Sequence, residues 1–485
     1  MNISFLDLKR NYESIKDEIQ IEMNKVLDKC NYIHGEEVSE FENNFARYIG
    51  TKHFIGCGNG TDALELAIES LDLKETDEII VQGNTYIATC SSVLRNKHKL
   101  VLCDVEKNTI FLDFNDLEKK ITPHTKVLIV VHLNGLVQNM DKITEICNTH
   151  NLILIEDCAQ AHGAKWKGQP VGSFGKLSCF SFYPGKNLGA YGDGGGIGTN
   201  DDELMIKIRK LANLGCRVKY HHEMIGRNSR LDTLQASILN VKLKHLDNWN
   251  KKRRQVALWY KKGLVGNIHV DILEPLPDTE NVYHLYVIRV QSRNELQTYL
   301  QAQGIQTLVH YPISIAETDA MKHLHFQNVF HCIKNSEVIL SLPIYPEITK
   351  EEVDYVCSHI QEFYKPLTRL TDYQVKDKPG ILSTINQMNI ETKRLFFIDS
   401  FQDIDETNNT RGKHVNKNCD EIMILLKGKI NLMLRDEEKN EFHFSLKRNE
   451  TIKIPRGYYL EFYIQTPDTQ ICVLTNEIYS KTKSV

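Results

Sequence analysis

The sequence predicts an α/β protein with a mostly parallel sheet, followed by an all-β module. Three observations carry that expectation. From Thr51 onward, nearly continuous apolar runs of strand length alternate with helix-like segments, the pattern of strands covered on both faces. A long helical stretch, about Leu231 to Lys262, closes this block, and a smaller α/β unit follows from about Val282 to Tyr364. After Tyr373 the chain turns to short alternating strands separated by turn residues, with little helix.

Taken in order, residues 1–49 read as two helical stretches, the second carrying Val38, Phe41, Phe45 and Tyr48 at helical spacing. Glu78–Val81, Leu100–Leu102, Val127–Val131 and Leu152–Ile155 read as strands, and Asp62–Leu71 and Met140–His150 as helices. The smaller unit has its own strand, Tyr283–Ile288. The tail places strands at Ile422–Leu426, Ile430–Leu434, Phe442–Leu446 and Ile471–Thr475. The expected domains are therefore 1–250, 251–366 and 372–485, in line with a prior of about 150 residues per domain for a 485-residue chain.

Charge and composition exclude several function classes. With 59 basic against 63 acidic residues the net charge is −4, which provides no field for a nucleic acid partner. No apolar run approaches the roughly 18 residues of a membrane span. The start, Met1-Asn2-Ile3-Ser4-Phe5, lacks a basic segment followed by an apolar one, so a cytoplasmic protein is expected. The 12 scattered cysteines form no C-x-x-C pair and read as reduced core residues.

The densest chemistry lies between Asn59 and Asn228. Asn59-Gly60-Thr61-Asp62 follows a short apolar strand and opens a helix, which suits a phosphate, although such a turn taken alone is more often a plain N-cap. Asp157 closes an apolar strand, where ligands of parallel sheets bind and where capping aspartates also occur. Ser181-Phe182-Tyr183-Pro184-Gly185-Lys186 precedes a cluster of Gly189, Gly192, Gly194, Gly195 and Gly196, where the backbone approaches something closely. A phosphate cradle, a strand-end carboxylate and a sequestered lysine together are what pyridoxal phosphate needs.

These segments resemble the pyridoxal-phosphate sugar aminotransferases of the DegT/DnrJ/EryC1/StrS family over about residues 1–366: NGTDAL at 59–64, IEDCAQAHGA at 155–164, SFYPGKNLGAYGDGG at 181–195 and NSRLD at 228–232. The resemblance implies fold type I architecture, a large mixed, mostly parallel sheet domain plus a small α/β domain. It implies that Lys186 is the Schiff-base lysine and Asp157 the partner of the pyridinium nitrogen. Gln160 contacts the phenolic oxygen, Gly60, Thr61 and Ser181 hold the phosphate, and Tyr86 stacks on the ring. Asn228 corresponds to a residue that reaches the neighbouring subunit's cofactor phosphate, which implies a homodimer with shared sites. A histidine at the lysine position marks a dehydratase branch, against which Lys186 argues. Val131-His132-Leu133, Tyr283-His284-Leu285 and Thr307–Pro312 look most similar to enzymes that use glutamate to aminate C3 of a nucleotide-linked 3-keto-6-deoxyhexose. The departure Asn134-Gly135-Leu136 leaves the sugar open, and so the position aminated. His310 and Tyr311 are substrate-pocket candidates, with a packed aromatic and a satisfied core histidine as the competing reading.

The tail, about 372–485, resembles the small cupin-fold (jelly-roll) sugar 3,4-ketoisomerases, whose comparable segment reads R-G-x-H-A-H-K and whose product is the 3-keto sugar that C3 aminotransferases consume. Arg411, His414 and Asn416 mark the corresponding place. Asn416 stands where that family has its second histidine, and Phe396 and Phe397 stand where it has tyrosines. None of the three moves a proton near neutrality, so the isomerase centre reads as dismantled. His414 beside an asparagine supplies too few ligands for a metal, and none is expected. Four readings stay open here: a C3 aminotransferase with a structural or sugar-binding cupin, a bifunctional isomerase and aminotransferase, a 4-aminotransferase, and a cofactor-binding regulator without turnover.

Overall fold

The computed structural model describes residues 1–364, 368–369, 394–399, 410–415, 421–436, 439–448, 450–454, 457–465 and 469–475; for 368–369, 394–399, 410–415, 451, 453 and 474–475 it describes the backbone alone. The chain forms two compact units. The first comprises Met1–Val265, Val270–Arg293 and Leu300–Cys357; the second comprises Gly266–His269, Asn294–Tyr299 and Ser358–Val485.

The two helices expected at the start are α1 (Leu8–Lys29) and α2 (Glu36–Ile49). A seven-stranded sheet follows, built from β1 (His53–Cys57), β2 (Glu78–Gln82), β3 (Lys99–Cys103), β4 (Thr125–Val131), β5 (Ile153–Asp157), β8 (Leu177–Ser181) and β9 (Gly195–Thr199) in the order β1-β9-β8-β5-β4-β2-β3. Strands β3, β2, β4, β5 and β8 run parallel, while β9 is antiparallel to both β8 and β1. Between β5 and β8, β6 (Lys165–Trp166) and β7 (Gln169–Pro170) form a small ribbon.

Strand alternation places the two faces of this sheet in separate cores. Ile80, Leu128 and Val130 join one apolar cluster, and their neighbours Ile79, Val81, Val127 and Ile129 join the other. Helices α3 (Gly60–Glu69), α4 (Ile87–Arg95), α5 (Phe114–Lys120), α6 (Met140–His150) and α7 (Asp202–Ala212) occur between strands or just after β9. The hairpin β10 (Cys216–Val218) and β11 (His221–His222) precedes α8 (Thr233–Leu264), a 32-residue helix against which Ile15 and Ile19 of α1 pack. Among the described residues no helix is long and apolar enough to cross a membrane.

The smaller α/β region holds β12 (Asp271–Ile272), β13 (Thr279–Glu280), β14 (Tyr286–Arg289), α9 (Arg293–Ala302), α10 (Phe330–Val338), β15 (Ile339–Leu342) and α11 (Lys350–Tyr364). Its central strand starts at Tyr286, three residues later than the apolar pattern indicated. The reason is local: Val282 N donates to Gly135 O at 3.0 Å and Leu285 N to Asn134 O at 3.2 Å, while Tyr283 turns through φ +43°. Those amides are spent on the loop after β4 and not on a neighbouring strand.

The second unit contains two antiparallel sheets, as a cupin-type tail requires. One is β16 (Thr368–Arg369), β22 (Thr451–Ile454), β19 (Glu421–Lys427), β24 (Gln470–Thr475) and β17 (Arg394–Asp399) in that order; the other is β18 (Thr410–Val415), β23 (Tyr459–Ile464), β20 (Lys429–Arg435) and β21 (Glu441–Lys447). Across β20 and β23 the pairs Ile430–Ile464, Leu432–Phe462 and Leu434–Leu460 are all buried, so one face of this sheet is an aliphatic and aromatic ladder.

The first unit's core has an aromatic centre. Phe45 is fully buried, with ring centroids 5.5 Å from Phe41, 4.7 Å from Phe54, 5.0 Å from Phe180 and 5.4 Å from Phe182. Because β8 and the start of the Lys186 loop pass through this cluster, Phe45→Ala is expected to cost about 3–5 kcal/mol of stability in urea unfolding. A loss below about 1 kcal/mol would mean the cluster does not anchor the sheet.

Candidate active site

The carboxyl ends of β1, β2, β4, β5 and β8 lie at one edge of the sheet, where loops rather than ladders satisfy the backbone. Each motif singled out above between Asn59 and Lys186 leaves one of these strands, which brings residues over a hundred positions apart to one place.

After β1, Asn59 caps α3 by accepting from Asp62 N at 2.8 Å, leaving Gly60 and Thr61 as the first two helical residues with no intrahelical acceptor for their amides. The loop presses against the end of β8. A Cβ on Gly60 would lie 2.6 Å from Ser181 Cβ, and one on Gly195 would lie 2.3 Å from the carbonyl carbon of Asn59, so both positions demand glycine. An anion at the start of α3 would meet two free amides, the Thr61 hydroxyl and Ser181.

Asp157 ends β5 almost fully buried. Thr89 Oγ1 donates to its Oδ2 at 2.8 Å and Ala159 N to its Oδ1 at 3.1 Å. Burial raises this carboxyl above its usual range, against those two bonds and the nearby positive charge of Lys186. Thr89 is a site residue that the sequence reading missed. Its one signal is the spacing Thr85-x-x-x-Thr89 at the start of α4, where the two hydroxyls lie 2.7 Å apart.

Lys186 sits in the loop after β8, and burial lowers its amine to about 8, with Asp157 pulling the other way. Three imidazoles share its neighbourhood. Burial first and the Lys186 charge second hold His162 down to about 3, His310 down to about 4, and His284 well below its ordinary value. His162 and His284 lie inside quoted motifs but were not singled out, because a histidine in a motif carries no mark of its partners.

Gln160 is buried and fixed: its Oε1 accepts from Asn134 N at 2.7 Å and its Nε2 donates to the Tyr311 hydroxyl at 3.3 Å. Tyr311 in turn lies 5.4 Å from the ring of Tyr86, which stands 53% exposed at the start of α4. His310 Nδ1 is engaged with Ser341 Oγ at 2.8 Å and its ring stacks on Phe5 at 5.6 Å. Gly60, Thr61, Tyr86, Asp157, Gln160, Ser181, Lys186 and Tyr311 thus gather at one edge. Asn228 is exposed, beside Ser229, whose hydroxyl accepts from Gly58 N at 2.9 Å and donates to Asp62 at 2.6 Å.

The donor set fits pyridoxal phosphate: an anion cradle, a buried carboxyl, and an amine already near neutrality. His132, Glu156 and Cys158 also cluster within metal-ligand reach of one another. The Glu156 oxygens, however, already accept from Gly172 N, Phe174 N and Gly175 N at 2.7–2.8 Å and face His132 Nε2 at 3.3 Å, so this group pins backbone. In the tail, Arg411 and His414 lie on β18 in register with Phe462 and Leu460, and Phe396 and Phe397 on β17 with Val473 and Cys472. The side chains of these four, and Asn416 altogether, lie outside the described residues.

Comparison with known proteins agrees with this geometry. Residues 13–361 match the DegT/DnrJ/EryC1/StrS aminotransferase family, and residues 366–484 match a family described as WxcM-like, C-terminal. A dTDP-3-amino-3,6-dideoxy-alpha-D-galactopyranose transaminase of Aneurinibacillus thermoaerophilus is 44% identical over 361 residues, 74% of this chain and 99% of that protein. Streptomyces venezuelae DesV, solved in complex with a ketimine intermediate, superposes with a TM-score of 0.73 at 39% identity, covering 75% of this chain and 98% of that one. NtdA of Bacillus subtilis, solved with bound cofactor PMP, gives a TM-score of 0.69 at 28% identity over 74% of this chain and 85% of that one. With its sheet order, its lysine loop and a family match over most of its length in agreement, the chain belongs to the DegT/DnrJ/EryC1/StrS family of pyridoxal-phosphate-dependent aminotransferases.

Proposed function

We propose that the chain transfers an amino group from glutamate to C3 of a nucleotide-linked 3-keto-6-deoxyhexose. The observation that carries this reading is the meeting of Lys186 and Asp157 at one buried edge, each sensing the other's charge. The C3 position draws support from the 44% identical relative, named for a 3-amino sugar. In this reading residues 1–250 form the cofactor-binding domain and 251–366 the small domain that closes over the substrate.

Pyridoxal phosphate bound here supplies an aldehyde that exchanges with amines and a ring that accepts the electron pair left when a carbon–hydrogen bond breaks. Asp157 keeps a proton on the ring nitrogen, and a cation at that point offsets the burial that otherwise raises its carboxyl. Thr89 and Ala159 hold Asp157 in line. Lys186 Nζ attaches the cofactor and, once released, takes and returns the proton at the substrate carbon. Gly60, Thr61 and Ser181 bind the phosphate, Gln160 contacts the phenolic oxygen, Tyr86 covers the ring, and Tyr311 and His310 border the sugar.

A homodimer with shared sites belongs to the same reading. Val218 and Tyr220 of the β10–β11 hairpin and Ile225 beyond it are 68%, 82% and 91% exposed, and an isolated two-stranded hairpin is marginal in water. A second copy that covers it brings Asn228 to the partner's phosphate. The buried free thiols suit the reducing cytoplasm, where we place the reaction. The tail, in this reading, is a relative of the 3,4-ketoisomerases that has lost their proton-transfer groups.

The central test incubates the protein with glutamate and a panel of nucleotide keto-sugars, with products identified by mass spectrometry and NMR. A 3-amino product that Lys186→Ala abolishes is expected, and a 4-amino product would move the reaction to the other carbon. Trapping of added cofactor on Lys186 by borohydride is expected to rise with pH with a midpoint near 8, because the neutral amine is the reactive form. A midpoint near 10.5, the value for a solvated lysine, contradicts the burial of this amine.

In analytical ultracentrifugation the cofactor-loaded chain is expected to sediment as a dimer, and Asn228→Ala is expected to weaken cofactor binding about tenfold, the effect of one hydrogen bond to a charged group. A monomer, or unchanged affinity, argues against shared sites.

For the tail, incubation with a nucleotide 4-keto-6-deoxyglucose in deuterated water is expected to show negligible exchange at C3, since each missing proton-transfer partner costs about 10²–10⁴ in rate. Rapid exchange that His414→Ala abolishes would establish a working isomerase.

A further inference from the structure

The loop that carries Lys186 has no secondary structure of its own. It folds back through Lys186 N to Tyr183 O at 2.8 Å and Ala190 N to Phe182 O at 2.8 Å. It also depends on Gly189, where a Cβ would lie 2.3 Å from Pro184 O. Those bonds shape the loop without locating it in the protein.

Its location comes from α8. Gln235, Lys242 and Asn250 are spaced by seven and eight residues, close to two helical turns, and so present one stripe. Each bonds one point of the loop. Gln235 Oε1 accepts from Tyr191 N at 2.8 Å, Lys242 Nζ donates to Gly189 O at 2.7 Å, and Asn250 Oδ1 accepts from Asn187 Nδ2 at 2.9 Å. Asn250 Nδ2 also donates to His162 O at 2.8 Å, and Asn187 Nδ2 also donates to Val282 O at 2.9 Å. The segment bearing Gln160, the Lys186 loop and the segment bearing His284 are therefore tied to one helix face.

Lys242 is the costly member. It is 2% exposed, its ammonium lies 4.1 Å above the Tyr191 ring, and Gly189 O is its hydrogen-bond acceptor. Buried charge contributes little to stability when an apolar side chain would pack as well. Packing here is also incomplete, for a cavity of about 20 Å³ lies between Lys186, Gly189, Lys242, Arg253 and Glu347. Either protonation state of Lys242 can donate to Gly189 O, so the strut survives titration.

We propose that Lys242 and Asn250 are positioning residues that bracket the loop from α8 and fix where the Lys186 amine stands. The inference rests on the reading of Lys186 as the residue that attaches the cofactor.

The test uses the full chain freed of cofactor. Pyridoxal phosphate is added, the reaction is stopped with borohydride at intervals, and label on the Lys186 peptide is measured by mass spectrometry, alongside a thermal melt. Lys242→Met and Asn250→Ser are each expected to slow labelling about tenfold or more, as misplacement of a reacting group does. Their melting midpoints are expected to stay within about 4 °C of the parent, and Lys242→Arg, which keeps the donor, is expected to label within about threefold of it. Labelling at the parent rate in Lys242→Met and Asn250→Ser, whatever their midpoints, would overturn the proposal. If Lys242→Met does not fold, the same criterion applied to Asn250→Ser decides. A parent chain that takes no label on Lys186 would instead overturn the reading of Lys186, and this inference with it.

Discussion

An amine and a carboxyl group buried within reach of each other are each costly to desolvate, and the first unit is organised around meeting that cost. Asp157 ends β5 and Lys186 lies in the loop that leaves the adjacent parallel strand β8, so the sheet fixes the carboxyl while the bonds from α8 hold the loop of the amine. Two cores, one on each face of the sheet, hold those strand ends in place. Thr89 and the Ala159 amide hold the carboxyl, and Asn134 through Gln160 holds the neighbouring turn. The tight contacts at Gly60 and Gly195 then bring the phosphate loop against the same edge.

Much of this was legible in the sequence, for identifiable reasons. Buried parallel strands need apolar side chains on both faces, and Val127–Val131 shows that as an unbroken run. Glycines that clash with any Cβ have no substitute, so the cluster after Lys186 announced a close approach. What escaped were bonds that cross between segments. The strand at Tyr286 starts late because the amides of Val282 and Leu285 serve the loop after β4, a partner that no local pattern reveals. Strands β22 and β23 were not named, although Leu460, Phe462 and Ile464 alternate as a strand with one covered face does.

Glu156 and Asp157 illustrate the same limit at a single peptide bond. Adjacent strand residues point to opposite faces, so two buried acids next to each other do different work. Glu156 spends its oxygens on three backbone amides of the turn 172–175, whereas Asp157 keeps its carboxyl toward Thr89 and Lys186. Position at the strand end favoured Asp157 in the sequence; the occupation of Glu156 could be seen only in three dimensions. The stripe along α8 escaped for a related reason, since polar residues two turns apart on a long helix look like ordinary solvated positions.

Histidine is usually the residue through which acidification reaches a protein, because its ordinary titration range spans that of the cell. In this pocket burial and the Lys186 charge hold His162 near 3 and His310 near 4, with His284 also well below its ordinary value. Acidification of the surroundings from neutrality to about pH 5 crosses the midpoint of neither His162 nor His310. Those two rings therefore keep one charge state across that span and impose no acid threshold of their own on the site between about pH 7 and pH 5.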